Sequence, residues 1–340
     1  MKIKMKLQNI LFIVLVLCTI HIKAQDPIFT QYSLVPETIN PGFTGFQYDW
    51  RAGLLHRRQW PDGNRVIDTD YGFLNKMIGD HAGIGMTILN DREAFTNYNF
   101  FQINAVYSYK VEINSEWNFR PGLEVGYGNK SYNFKNLLLE DQINGNTGAI
   151  SNSSIDQGVL NQKDHINFVD ISAGILFDNE DGWFGAGLKH LNRPNISFLN
   201  EENVPLDLFL TVHGGYAFDI DETPTGLFPE NSKLLLTTNY MRQSQYNRLD
   251  FGAALKFASL IFGANLATNP EPKSNYSHFI TSINPYLSIH FDNFNFGYSY
   301  DISTSKIGHT QGIHELSLTW QLRFCESCVA KVNKYYDYNK

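Results

Sequence analysis

The side chains best suited to covalent chemistry sit near the end of the chain, in Cys325-Glu326-Ser327-Cys328. A C-x-x-C pair can close a local disulfide, supply half of a tetrahedral metal site, or sit as two thiols. Redox catalysis would need the pair at a helix start in a βαβ setting, which the flanking residues lack. One pair also supplies only two metal ligands, so a local disulfide between Cys325 and Cys328 is the expectation. Ten histidines are scattered along the chain. None pairs at the i, i+4 spacing of a helical zinc site, and neither a G-x-S-x-G elbow nor a phosphate-binding loop occurs. No enzymatic activity, cofactor or metal is expected.

The elements that carry these residues are read most clearly from the stretch just before the cysteines. Leu316, Leu318, Trp320, Leu322 and Phe324 share one parity, and Glu315, Ser317, Thr319, Gln321 and Arg323 share the other. Side chains alternate across a strand, so this strand has one apolar and one polar face. The same pattern recurs in 97–111, where Val106 is the exception, and in 116–128 and 278–291. Pro285 removes a ladder donor in the last of these, which predicts a bulge or local break. About fourteen strands are expected, near 51–59, 65–75, 81–91, 97–111, 116–128, 166–178, 183–192, 206–218, 233–242, 247–257, 259–268, 278–291, 293–302 and 311–324.

Apolar-out, polar-in alternation over strands this long describes an all-β transmembrane antiparallel barrel with a wet, polar lumen. Loop lengths supply an independent argument. If the first strand runs outward, the outer set contains the long connections 129–165, 192–206, 268–278 and 303–310. The inner set contains the short 76–80, 112–115, 178–182, 258–259 and 292–293, with 219–232 the exception. Long outside and short inside is the asymmetry of outer-membrane barrels. The 14% aromatic content, mostly Phe and Tyr, and the 26 glycines agree with a β-rich chain. A formal charge of −7 without a basic cluster argues against nucleic acid as a partner. No later stretch offers about eighteen uninterrupted apolar residues, so a helical membrane protein is excluded.

Lys2, Lys4 and Lys6 precede an apolar run over 10–20, and Ala24 offers a cut ahead of Gln25. That is the layout of a secretory signal, with Cys18 inside the removed run. Four segments follow: a signal peptide over 1–24, an irregular N-terminal segment over 25–50, the barrel over 51–324, and a periplasmic tail over 325–340. Pro27, Pro36, Pro41, Gly42 and Gly45 break any ladder in the second segment, yet it keeps apolar side chains. It is expected to plug or cap the barrel through Phe29, Tyr32 and Phe43. Parity assigns Lys110, Arg120, Glu124, Glu315 and Arg323 to the lumen, and Trp117, Tyr127 and Trp320 to interfacial girdles. The polar loop 129–165 reads equally as an outward docking loop, a fold-in constriction or a variable surface loop.

Five blocks of sequence then resemble the PorP/SprF family of type IX secretion system outer-membrane proteins of the Bacteroidota. They are Gln25-Asp26-Pro27-Ile28-Phe29-Thr30-Gln31-Tyr32, Ile39-Asn40-Pro41-Gly42-Phe43-Thr44-Gly45, Arg57-Arg58-Gln59-Trp60, and the pair Phe296-Gly297-Tyr298-Ser299-Tyr300-Asp301 and Gly312-Ile313-His314-Glu315-Leu316-Ser317-Leu318. The resemblance implies an outer-membrane barrel that binds, helps export or retains a secreted surface protein, such as a gliding adhesin. It also implies contact with other type IX components in the periplasm. The extension over 325–340 departs from the family pattern, so its role is not inherited. A diffusion channel or small-molecule transporter, with the N-terminal segment as plug, is the alternative.

Overall fold

The computed structural model describes residues 26–46, 50–61, 66–132, 142–143, 147, 149–150, 163–200, 202–221, 228–271, 278–304, 312–322 and 333–336. Arg323, Phe324, Cys325, Cys328, the signal segment and most of 129–165 lie outside them. Two short 3-10 helices, Pro36–Thr38 and Pro41–Phe43, precede the strands. The first strands are β1 (Trp50–Gln59), β2 (Ile67–Ile78), β3 (Ala82–Glu93), β4 (Tyr98–Tyr109) and the two-residue β5 (Val111–Glu112). Next come β6 (Asn118–Ser131), β7 (His165–Asp178), β8 (Gly182–Lys189), β9 (Phe209–Asp219) and β10 (Lys233–Gln243). The last five are β11 (Tyr246–Phe257), β12 (Leu260–Thr268), β13 (Ile280–Phe291), β14 (Phe294–Ser303) and β15 (Ile313–Leu322).

Each long strand pairs antiparallel with its neighbour in sequence, and β1 pairs with β15 through Trp50↔Leu322 to Gln59↔Ile313. β4 pairs directly with β6, so β5 only lengthens that junction and fourteen strands form the closed wall. Closure matters because a strand edge left in lipid would hold unpaired backbone groups. Among the described residues no helix is long and apolar enough to cross a membrane. In β15, Glu315, Ser317, Thr319 and Gln321 are buried, while Leu316 on the other parity is 54% exposed. Leu54, Leu123, Val125, Phe251, Phe262 and Leu287 are likewise exposed on the outward face. An apolar belt of this extent is stable in lipid and would aggregate in water.

The expected sorting of loops holds only in part, because two outer turns are short and the inner connection expected over 112–115 is longer. The end that carries 190–208, 269–279 and 304–312 also carries the short turns 94–97 and 244–245. The opposite end carries 79–81, 179–181, 258–259 and 292–293, with 110–117 and 220–232 longer. We call these the outer and inner ends. At Pro285 the ladder to β12 is intact, Pro285↔Ala264, but the ladder to β14 is interrupted between Ile283↔Ile302 and Tyr286↔Ser299. The missing donor therefore faces β14. A separate register shift lies at Ala267/Thr268, near the outer end of the same hairpin.

Candidate functional site: a lumen filled by the N-terminal segment

The segment 26–46 runs inside the barrel from the outer end to the inner end, and nearly all of it is buried. Phe29, Tyr32 and Phe43 are 7%, 2% and 0% exposed. The local sequence explains the path. Asn40 accepts the Gly42 N–H at 2.7 Å and so caps the short helix Pro41–Phe43, with Pro41 supplying a fixed φ at its first position. The Asn40 amide nitrogen also donates to the wall carbonyls of Ile175 at 2.9 Å and Ala186 at 3.2 Å. One side chain thus caps the helix and fastens it to β7 and β8. Gly45 follows at φ +67, a backbone state other residues rarely adopt, and passes against β3 at Gly83. On β6, a Cβ at Gly122 would lie 2.5 Å from the Gly42 nitrogen and the Pro41 carbonyl carbon. The wall is bare there because the segment occupies the space.

Two buried ionic clusters hold the segment. Near the outer end, Glu315 of β15 accepts the backbone N–H of Thr30 at 3.0 Å and of Gln31 at 2.7 Å. Arg57 of β1 donates to Glu315 at 2.9 Å and to Asp301 of β14 at 2.9 Å, while the Thr30 hydroxyl donates to Asp301 at 2.8 Å. Four elements therefore meet on one guanidinium with almost no solvent, where charge-assisted bonds are strongest. Toward the inner end, Arg51 pairs with Glu37 and donates to the Leu34 carbonyl at 2.7 Å. Asn75 of β2 also donates to Glu37, at 2.9 Å.

The outer end of the segment is fixed by His190, just beyond β8. Its Nε2 lies 2.6 Å from Asp26 and its Nδ1 lies 2.9 Å from Asp170. Burial alone would lower the imidazole pKa, but the two carboxylates reverse this and raise it to about 9. Burial would raise the Asp26 carboxyl, and His190 instead holds it well below the usual carboxylate range. Loop 190–208 closes over this end, placing Leu206, 1% exposed, against Phe100 and Phe168.

The inner half of the lumen corrects the expectation of a wet, polar interior. Phe43, Phe46, Leu55, Phe73, Trp183 and Leu235 form part of one apolar cluster there. Strand parity still sends these wall residues inward, but their partner is the buried N-terminal segment rather than water. Tyr335 and Tyr336 join the same cluster from the other end of the chain.

The residues expected in the lumen fall into three groups. Arg120, Glu124 and Glu315 point inward and are buried, with Arg120 donating to Asp178 at 2.8 Å and lying over the Phe46 ring. Lys110 departs from expectation, because β4 ends at Tyr109 and Lys110 sits at the inner rim paired with Glu112 at 3.0 Å. Arg323, like the Cys325 and Cys328 pair, lies outside the described residues. Sequence reading missed Glu37, Asn40, Arg51, Arg57, His190 and Asp301. Each wall residue among them except His190 sits on inward parity within a strand, which is the signal that was available. Trp117 packs on Phe184 at 5.8 Å outside the wall, and Tyr127 is 48% exposed.

A family model described as type IX secretion system membrane protein PorP/SprF matches residues 21–320. Among solved structures, the Acinetobacter baumannii outer membrane protein Omp33 is similar at 8% identity, over 82% of this chain and 100% of that chain, with a TM-score of 0.45. A TodX monoaromatic hydrocarbon channel mutant is similar at 10% identity, over 86% and 92%, with a TM-score of 0.46. A Pseudomonas aeruginosa FadL homologue gives 9% identity, 84% and 93%, and 0.45. Likenesses of this size carry no argument about substrate or partner. Among curated proteins none matches.

Proposed function

We propose, from the premise that this chain belongs to the PorP/SprF family of type IX secretion system membrane proteins, that it binds and retains a secreted surface protein at its outer end. The chain is a β-barrel membrane component of the type IX secretion machinery, placed in the outer membrane. The observation that supports retention over conduction is the filled lumen. The interior surface is used to hold residues 26–46, so the two ends of the barrel are what remains for partners, and the outer loops are the end open to a secreted one. A gliding adhesin is the kind of partner this reading expects, with no catalytic role and no cofactor for the barrel itself.

The test is recovery of the barrel from outer membranes in mild detergent. A secreted surface protein at comparable molar amount is the expected co-purifying species. Recovery of lipid alone, together with steady ion conductance by the purified protein in planar bilayers, would overturn retention in favour of a channel whose plug leaves the lumen.

A further inference from the structure

The tail beyond β15 is not absorbed by the retention reading, and part of it has a defined place. After ten residues, 323–332, the chain returns at Asn333 to the turn between β7 and β8. In a ring of fourteen strands β8 is seven pairings from β15 in either direction, so Asn333 lies across the inner mouth from the end of β15.

The contacts at the far side are those of a seated peptide. Asn333 donates from its amide to the carbonyls of Asn179 at 2.8 Å and Gly182 at 3.0 Å. The Lys334 backbone N–H donates to the Glu180 carbonyl at 2.6 Å. Its ammonium lies 3.0 Å from Asp181 and 2.6 Å from Asp219, and these partners raise its pKa above the usual lysine value. Tyr335 and Tyr336 are 1% and 2% exposed. Tyr335 meets Trp183 edge-on at 4.6 Å, and Tyr336 meets Trp183 at 5.1 Å and Phe46 at 5.6 Å. Buried aromatic anchors beside a polar, charge-paired rim are the anatomy of a peptide-binding hot spot.

We propose that the inner mouth is a peptide-binding site, occupied in cis by this chain's own residues 333–336. The ligand class it takes is a peptide with an amide and a cationic side chain followed by two aromatic residues. Because the walls of the site include Phe43 and Phe46, its occupant also presses on the N-terminal segment. A periplasmic protein with such a segment would exchange with the tail. The short tether sets the tail's effective concentration at about 1 mM, so a free competitor is weakened in proportion.

The test uses a labelled synthetic peptide of residues 329–340 and the full-length barrel in detergent, read by fluorescence anisotropy. Tyr335→Ala/Tyr336→Ala is expected to bind the peptide at least tenfold more tightly than wild type, since its own tail no longer competes. Lys334→Glu, which only reverses a partly exposed charge, is expected to fall between them and carries the comparison if the double variant fails to fold. Adding Trp183→Ala to Lys334→Glu is expected to abolish binding. Equal affinity for all variants, or binding to none, overturns the proposal. Either result leaves retention of a surface protein at the outer end unaffected.

Discussion

Removing the Glu315 carboxylate tests the central inference that the wall grips its own N-terminal segment. Glu315→Ala orphans the Thr30 and Gln31 N–H groups, which donate at 3.0 and 2.7 Å, and leaves Arg57 with Asp301 as its remaining carboxylate. A hydrogen bond to a charged group contributes about 1.5–3 kcal/mol, and breaking a buried ion pair from one side costs about 3–5 kcal/mol. Two such hydrogen bonds come to about 3–6 kcal/mol, which overlaps the ion-pair figure at about 4 kcal/mol, and at about 1.4 kcal/mol per factor of ten the open state of this stretch becomes about 10²–10³-fold more populated. Amide hydrogen exchange read by mass spectrometry reports that population for peptides covering 26–35. Exchange there should accelerate by that factor, while 40–46, anchored separately by Asn40, should change far less. Glu315→Gln retains one acceptor oxygen and should give a smaller acceleration. A change below threefold in Glu315→Ala would refute the idea that this carboxylate holds the segment. An equal acceleration across 26–46 would instead show that the segment leaves as one unit.

His190 makes anchoring of Asp26 pH-dependent. Its folded pKa of about 9 lies above the ordinary 6.5, so its contribution is complete below about pH 6.5 and lost as pH rises through 9. Asp26, held low, contributes above about pH 4 and loses this as pH falls through its depressed value. The melting-temperature gap between wild type and His190→Gln in detergent should therefore be widest near pH 6 and nearly closed by about pH 10. Gly122→Val puts a side chain where a Cβ already meets plug backbone at 2.5 Å, an overpacking of about 1–3 kcal/mol. Planar-bilayer recordings should show more frequent conducting events than wild type. On the opposite face, Val125→Arg should lower stability in liposomes by about 2–4 kcal/mol if Val125 lies near the bilayer midplane, whereas Thr96→Arg in an outer turn should be nearly silent.

The fold was legible because period-2 alternation is a local signal, repeated on strand after strand. Leu316 and Glu315 declare their faces within a few residues of sequence. The site was only half legible. The parity of Glu315, Arg120 and Glu124 showed that they point inward, but not what they meet. Thr30 and Glu315 are 285 residues apart, and Arg57 and Asp301 are 244 apart, so no local pattern joins them. Leu55, Phe73 and Trp183 were exceptions to polar-inward parity, and such exceptions acquire meaning only once an apolar partner is known to lie inside. Asn40, Gly42 and Gly45 belonged to a block read for its family resemblance. The geometry supplies their physical reason: a cap, a close approach and a left-handed backbone.

The Arg57 cluster also couples the segment to the seam of the barrel. Its members come from β1, β14 and β15, the first strand and the last two, and β1 meets β15 only when the ring closes. The same closing step that pairs Arg57 with Glu315 surrounds residues 26–46 on every side. Segment and seam therefore stabilise each other, residues 26–46 lying as a splint across the joint between the first strand and the last.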